Sequence, residues 1–527
     1  MNTSDVLIIG AGGAGLVAAL HAKAKGVHVR VLTKEYPTRS QTCMAQGGIN
    51  AALGNAGEDS VASHIANTLK SAKNIASLDA IKHLCENAPD AIAWLDSIGV
   101  CFSRTKDSKI AQRALGGASS PRACYAQDYT GLKILHTLYD RCLEQGIEII
   151  HETFLLDIHT HENTVMGVSA LDIRSGETKT YEAASVILAT GGYSRVYNKH
   201  STNSTASTGD GIASALRAGA SLSDMEFVQF HPTGLKHSSI LISESARGAG
   251  GYLVNSKGER FIDELLPRDT VARAIDAQIK SGENVFLDIR HLDEEFINRE
   301  LPQERKLAKL YENVDPVSDL VPIKPVAHYT MGGIDVDAKA MTSVRGLFAT
   351  GECANHSVHG ANRLGGNSLL ELIVFGKLAG ENAAEFSKNV SSSQAQYGSE
   401  KSQRASSHAL LGNSEIDFYK IREELGDLFY SQVGIIREAS QLADALVKVE
   451  SHIANLPQMG VKDTSKVYNT NKIEFLEFKN ILELSRLILL SALSRNESRG
   501  AHFRSDKPDT DASFDKHTVI DKDGVVS

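Results

Sequence analysis

The chain lacks most of what would tie it to a metal, a membrane span or a polyanion. Its six cysteines (Cys43, Cys85, Cys101, Cys124, Cys142 and Cys353) form no CxxC pair and no metal-ligand spacing. They give no frame for an iron–sulfur centre within this chain, and are expected to be reduced thiols of a cytosolic protein. No apolar run reaches the ~18 residues that a membrane span needs. The longest candidate, 482–493, is broken by Glu483 and Arg486. No basic leader precedes the strand pattern that begins at Asp5, so no signal peptide is expected. There is no basic run either: the net charge is −9, with Lys and Arg scattered. That balance argues against nucleic acid or an anionic membrane as the main partner. An anionic substrate must instead be drawn in by local cations inside a pocket.

What is present is a 527-residue chain that is 42% apolar, enough for roughly two to four domains with sizeable cores. Residues 6–10 form a short β run leading into Gly10, Gly12, Gly13, Ala14 and Gly15, then an alanine-rich helix to about Lys25, then a second strand over 27–33. Strand, glycine turn, helix, strand is the context that turns GxGxxG into a dinucleotide-binding βαβ unit, with a pyrophosphate on the helix N-terminus. The acid that usually follows ~20 residues on has one candidate, Glu35, and Thr33 and Lys34 are alternatives. Arg39 to Ile49, with Ser40, Gln41, Thr42, Gln46, Gly47 and Gly48, reads as a polar loop. Helical periodicity covers 60–98 and 132–145, and strand alternation over 147–187 predicts a β-meander. A strand over 185–188 closes on a glycine turn at Thr190-Gly191, and Asp210 opens a helix. Gly346 to Glu352 repeats the strand-into-glycine form far downstream. A dinucleotide fold entered at residue 6 and completed only near 352 implies an inserted domain at about 233–340, with a strand at 252–255 and a helix over 271–280. Residues 387–413 read as a Ser- and Gln-rich linker. The segments 416–429, 436–454 and 473–493 read as helices; residues 497–527 form a C-terminal tail, whose polar part after Arg504 is expected to lie on the surface or to be partly disordered.

His359 to Leu372 is a glycine-rich stretch that opens a helix from Leu369 to about 379. Arg363 stands one turn before it, with a planar fork suited to a carboxylate. Four further islands carry reactive residue types: His231-Pro-Thr-Gly, Ser243-Glu244-Ser-Ala-Arg247, Arg268-Asp269 and His328-Tyr-Thr-Met-Gly-Gly. None sits in a periodic stripe that packing would explain.

The order of these segments over residues 5 to about 506 resembles the flavoprotein subunit of succinate dehydrogenase and fumarate reductase. The superfamily also holds L-aspartate oxidase, the alternative reading. The resemblance rests on Gly10–Gly15, Thr38-Arg-Ser-x-Thr42, Ala45-Gln-Gly-Gly48, Gln112-Arg-x-x-Gly-Gly117 and Asp210. Downstream it rests on the five islands, Gly351-Glu352 and Glu497-Ser-Arg-Gly-Ala-His502. It implies an α/β fold: a Rossmann-like FAD-binding domain (1–232 and 341–386), an inserted α+β capping domain (233–340) and a helical domain (414–496). FAD would lie along Gly10–Gly15, Thr33-Lys34, Ser40–Gly48, Thr190-Gly191, Asp210, Glu352 and Ser368-Leu369. A C4 dicarboxylate would be gripped by His231, Ser243, His328 and Arg363. Arg268 would exchange the proton, re-supplied through Glu244 and Arg247. The resemblance further implies an iron–sulfur subunit as partner and, through it, a membrane or quinone-reactive subunit, with this chain on the cytoplasmic face of the cell membrane. Three positions depart from the family pattern. Gln41 stands where the family's FAD-attaching histidine would be, so dissociable FAD is expected, with fumarate reduction favoured by its lower potential. Leu115 replaces an aromatic, and Ser243 replaces a threonine but keeps the hydroxyl.

Overall fold

The apolar run Val6 to Ile9 is buried throughout, as a central strand of a parallel sheet must be. In the computed structural model, which describes residues 2–390 and 415–524, it ends the strand Thr3–Ile9. That strand pairs in parallel with Val29–Leu32 on one side and Thr178–Leu188 on the other. Glu148–Ile150 extends the parallel sheet, and Leu347–Ala349 pairs with Thr178–Leu188. The expected meander is completed by the antiparallel strands Thr153–His161 and Thr164–Asp172. Register sets Ile9 opposite both Leu32 and Leu188, and Leu188 opposite Ala349. Four carboxyl ends therefore stop at one edge, which is where open α/β sheets take their ligands. The helices Gly13–Ala24 and Asn367–Asn389 both start at that edge and pack on each other. The second is longer than the sequence pattern suggested, because its buried stripe continues through Ala383 and Ser387. It also takes in the first residues of the expected linker, the remainder of which lies outside the described residues.

The inserted layer is a four-stranded antiparallel sheet of Val228–Leu235, Val321–Thr330, Val285–Asp288 and Tyr252–Asn255. It starts at Val228 rather than at 233, so His231 lies inside its first strand, at a register shift. The expected helix over 271–280 begins one turn earlier, as Arg268–Lys280 after Pro267, because Pro267 holds an extended entry that a helix N-terminus accepts. Arg268 thereby sits in a rigid first turn. The helical periodicity over 60–98 resolves into three helices, Val61–Ala72, Leu78–Glu86 and Ala88–Ser97. The first break falls where Lys73 and Asn74 adopt φ of 57° and 66°. Phe418–Gln432, Ala439–Ala454 and Thr470–Ser494 form the helical layer. Among the described residues no helix is long and apolar enough to cross a membrane.

Beyond Arg504 the polar tail is mostly exposed up to His517, and the strand near its end is built into a sheet; the charged segment before it is interior. Arg495, Glu497, Arg499, His502 and Arg504 are all buried, and Val519–Ile520 pairs with Leu222–Ser223 as a sheet strand. Glu226 Oε1 accepts from Arg495 Nε, and Arg495 Nη1 donates to Glu497 Oε1 at 3.0 Å. Arg499 donates to both Glu497 oxygens at 2.7 and 2.9 Å and reaches the Lys73 carbonyl at 2.7 Å. The Ala501 N–H donates to the Ala361 carbonyl, so the segment also braces the loop that carries Arg363. Hydropathy reads such a segment as surface, but buried charges that pair with each other belong to the interior. Arg495→Met leaves Glu226 and Glu497 buried with less compensation. It is expected to cost about 3–5 kcal/mol, read as a fall in the denaturant midpoint of the full chain; an unchanged midpoint contradicts the buried network.

Candidate active site

The four strand ends open into one cleft. Every residue assigned to the cofactor from the sequence lines it except Gly15 and Cys43, and so do His231, Ser243, Glu244, Arg268, His328 and Arg363. Arg247 sits behind the wall. Gly10 has φ +111°, and a Cβ there would lie 2.1 Å from the Ala189 carbonyl oxygen. A Cβ on Gly15 would come within 1.9 Å of the Gly10 oxygen, so Gly15 seats the helix against the turn instead of facing a ligand. The Gly13 N–H donates to Thr42 Oγ1 at 3.0 Å, fastening the loop around Gln41 to the helix start. Gln41 Oε1 accepts the Ser204 N–H at 2.6 Å.

Lys34 and Asp210 line the cleft but are already engaged with each other. Lys34 Nζ donates to Asp210 Oδ2 and Glu477 Oε1, each at 2.7 Å, and also to Thr208 Oγ1 and the Ala206 carbonyl at 3.0 Å. Burial would pull the Lys34 ammonium down, but Asp210 and Glu477 outweigh it and hold it above its ordinary value. Asp210 Oδ1 accepts from Asn480 at 2.8 Å. The C-terminal helix Thr470–Ser494 thus closes one end of the cleft, a contact with no sequence signal because Glu477 lies 443 residues from Lys34.

The chemistry of the wall fits a dinucleotide. Two helix N-termini face it, and their unpaired N–H groups suit phosphate or an electron-rich ring edge. Ser40 Oγ, Gln46 Oε1 and Thr190 Oγ1 are buried without a hydrogen-bond partner among the described residues, and buried polar atoms of that kind need one. Glu352 Oε1 accepts the Thr330 N–H at 3.0 Å, and burial raises its carboxyl to about 7.

At the far end the capping layer meets the glycine-rich loop. Arg268 Nε donates to Glu244 Oε2 at 2.9 Å, and its Nη1 to Gln229 Oε1 at 3.1 Å. Burial would raise the Glu244 carboxyl. Arg268, Arg247 and the Gly116 N–H at 2.7 Å overcome that and hold it below the usual carboxylate range. Arg247 Nη2 stands 3.8 Å from Glu244 Oε1. Arg363 is 2% exposed, lies 4.2 Å from the Tyr329 ring, and has a buried Nε without a hydrogen-bond partner among the described residues. Burial, with Arg268 nearby, pulls its guanidinium down to about 10.

The two histidine rings lie 4.9 Å apart. Burial, reinforced by Arg268, holds both far below their ordinary value, so both are neutral. His231 Nδ1 accepts the Thr233 N–H at 3.2 Å, which leaves the ring proton on Nε2. Ser243 Oγ accepts the Ser245 N–H at 3.2 Å, leaving its own proton to donate.

Two partners escaped the sequence reading. Gln229 joins the two arginine islands, since its Nε2 donates to Asn362 Oδ1 at 3.0 Å and to the Arg363 carbonyl at 2.8 Å. Its position two residues before His231 on the same strand was the available signal. Glu371, buried, accepts from the Tyr329 hydroxyl and lies 3.2 Å from His359 Nε2. It had looked like one more helix residue.

Residues 5–369 match the family described as FAD binding domain, and residues 422–526 match fumarate reductase flavoprotein C-term. The chain is 42% identical to the 8-methylmenaquinol:fumarate reductase flavoprotein subunit of Wolinella succinogenes, over 99% of this chain and 90% of that one. It is 40% identical to the succinate dehydrogenase flavoprotein subunit of Rickettsia conorii, over 99% and 94%. Among solved structures, the FrdA chain of E. coli quinol fumarate reductase superposes with a TM-score of 0.93 at 36% identity, covering 100% of this chain and 96% of that chain. The fold, the FAD-binding domain and the full-length relatives converge: the chain belongs to the family of succinate dehydrogenase and fumarate reductase flavoprotein subunits, FAD-dependent oxidoreductases acting on CH–CH bonds.

Proposed function

We propose that the far end of the cleft holds succinate or fumarate between His231, Ser243, His328 and Arg363, with Arg268 as the proton-transferring group. The observation that carries this reading is the buried guanidinium of Arg268, tied to Glu244 and Gln229 in the same cleft as the dinucleotide turns. Bound FAD supplies hydride exchange with the central carbons of the substrate. The remaining work falls to side chains. The Arg363 fork takes one carboxylate, and the neutral Nε2–H of His231, the His328 ring and the Ser243 hydroxyl supply donors around the substrate. Arg268 gives its proton to a substrate carbon in reduction and takes one in oxidation. A free arginine holds its proton too firmly for that role. Glu244, ionised and in direct contact, first takes up a proton from solvent by way of Arg247, 3.8 Å away, and then passes it to Arg268, so that Arg268 regains the proton it gave and Glu244 returns to its ionised form.

We also propose that FAD is held without a covalent bond. The Gln41 amide, whose oxygen accepts from Ser204, offers no ring nitrogen to bond the flavin. The Wolinella and Rickettsia relatives are named as subunits, which supports an iron–sulfur subunit as partner. Through it the chain would sit on the cytoplasmic face of the cell membrane and exchange electrons with quinone. L-aspartate oxidation is the less favoured alternative, since the relatives cited carry succinate dehydrogenase and fumarate reductase names.

The test of function is fumarate reduction with a reduced viologen donor by the FAD-loaded full chain. Arg268→Gln is expected to lower turnover by about 10²–10⁴-fold, and L-aspartate to yield no peroxide. Near-parental turnover in Arg268→Gln sinks the proton-transfer role, and rapid peroxide formation from aspartate overturns the substrate assignment. Acid precipitation is expected to release all yellow colour into the supernatant. Flavin remaining on the pellet would refute non-covalent binding.

A further inference from the structure

Two buried carboxyl groups outside the residues assigned above meet where the capping layer touches the sheet-edge loops. Asp128 precedes the helix Thr130–Glu144, and Glu304 lies in the first turn of the helix Pro302–Tyr311. They are 0% and 2% exposed. Asp128 Oδ2 accepts the N–H groups of Gln303 at 2.6 Å and Glu304 at 3.2 Å. These are donors that a helix start leaves without partners. The helix's own N-cap residue, Leu301, offers no side-chain acceptor, so the cap comes from the other layer. Glu304 Oε1 in turn accepts the Ser243 N–H at 3.1 Å. Beside this line, Gln127 Nε2 donates to the Arg299 carbonyl at 3.0 Å, a second tie between the same two segments.

A buried carboxyl is costly unless its oxygens are hydrogen-bonded. Here one oxygen of each carboxyl, Asp128 Oδ1 and Glu304 Oε2, has no partner among the described residues. Burial raises both carboxyls, and Asp128 raises Glu304 further. What the arrangement achieves is to hold Ser243 from two sides. Its hydroxyl oxygen is fixed by Ser245 N–H and its backbone N–H by Glu304. Together they hold the Ser243 backbone and the position of its hydroxyl oxygen.

We propose that Asp128 and Glu304 are positioning residues for substrate binding: Asp128 latches the capping helix to the sheet-edge loops, and Glu304 passes that position to Ser243. The proposal rests on Ser243 as a substrate donor in the reading above. Misplacing a positioned group by about an ångström costs up to about 100-fold, and a lost backbone acceptor displaces Ser243 by less.

The test is fumarate reduction by the FAD-loaded full chain, resolved into kcat and KM. Glu304→Leu is expected to raise the fumarate KM by roughly 5–20-fold with kcat within about two-fold. Glu304→Gln, which keeps a carbonyl acceptor, restores KM to within about two-fold of the parent. Asp128→Ala raises KM like Glu304→Leu, Asp128→Asn less so, and the Asp128→Ala/Glu304→Leu pair no further, because both act through one serine. An unchanged KM in Glu304→Leu, or Glu304→Gln as impaired as Glu304→Leu, overturns the latch. Should Glu304→Leu not fold, the Asp128→Asn and Asp128→Ala pair decides by the same KM comparison. Ser243→Ala separates the two levels. If it leaves KM unchanged, the substrate reading fails; if it raises KM while Glu304→Leu does not, only the latch fails.

Discussion

Three arginines, Arg247, Arg268 and Arg363, are buried around one ionised carboxylate, Glu244. This is the constraint on which the rest of the molecule depends. Guanidinium groups taken out of water are costly unless paired. Glu244 hydrogen-bonds Arg268 and offsets the charge of Arg247 across 3.8 Å, while Arg247 Nε and Nη2 and Arg363 Nε are buried without a hydrogen-bond partner among the described residues. The site therefore holds positive charge in reserve. With both histidines neutral, that reserve is fixed by arginines, and the dianion proposed as substrate would balance it. In a chain of net charge −9, attraction of an anion has to be local.

Holding such a charge cluster in place takes elements from the whole length of the chain. Arg268 is set by the first turn of a helix, Gln229 by a strand of the capping sheet, and Arg363 by a loop that Ala501 braces through the Ala361 carbonyl. At the opposite end of the cleft, Lys34 joins the strand edge to the C-terminal helix through Glu477. The buried pairs of Glu226, Arg495, Glu497 and Arg499 fasten the last segment to the same body. The tail and the helical layer thus act on both ends of the cleft without lining its centre.

The parts of this that could be read in advance are those with local signals. The glycine turn at Gly10, the meander, the strand at 252–255 and the five reactive islands announce themselves by spacing and residue type. The parallel edge that gathers them does not, because register between Ile9, Leu188 and Ala349 is a matter of long-range pairing. Gln229 and Glu371 were passed over because an amide or a carboxylate within a regular element looks like an ordinary side chain until its partner is known. Arg495, Glu497 and Arg499 show the opposite case: hydropathy places such charges in solvent, while in the fold they and Glu226 neutralise one another in the interior. Lys34 and Asp210 were assigned to the cofactor singly, and the structure joins them as one ion-paired unit at its edge.

The central claim is that the buried arginine excess recognises two carboxylates at once. The direct measurement is the dissociation constant of fumarate against crotonate, in which a methyl group replaces one carboxylate, on the FAD-loaded full chain by flavin difference spectroscopy. A buried charged partner left unpaired costs about 2–5 kcal/mol, so crotonate is expected to bind roughly 30-fold more weakly or worse. Equal dissociation constants for the two would contradict the account.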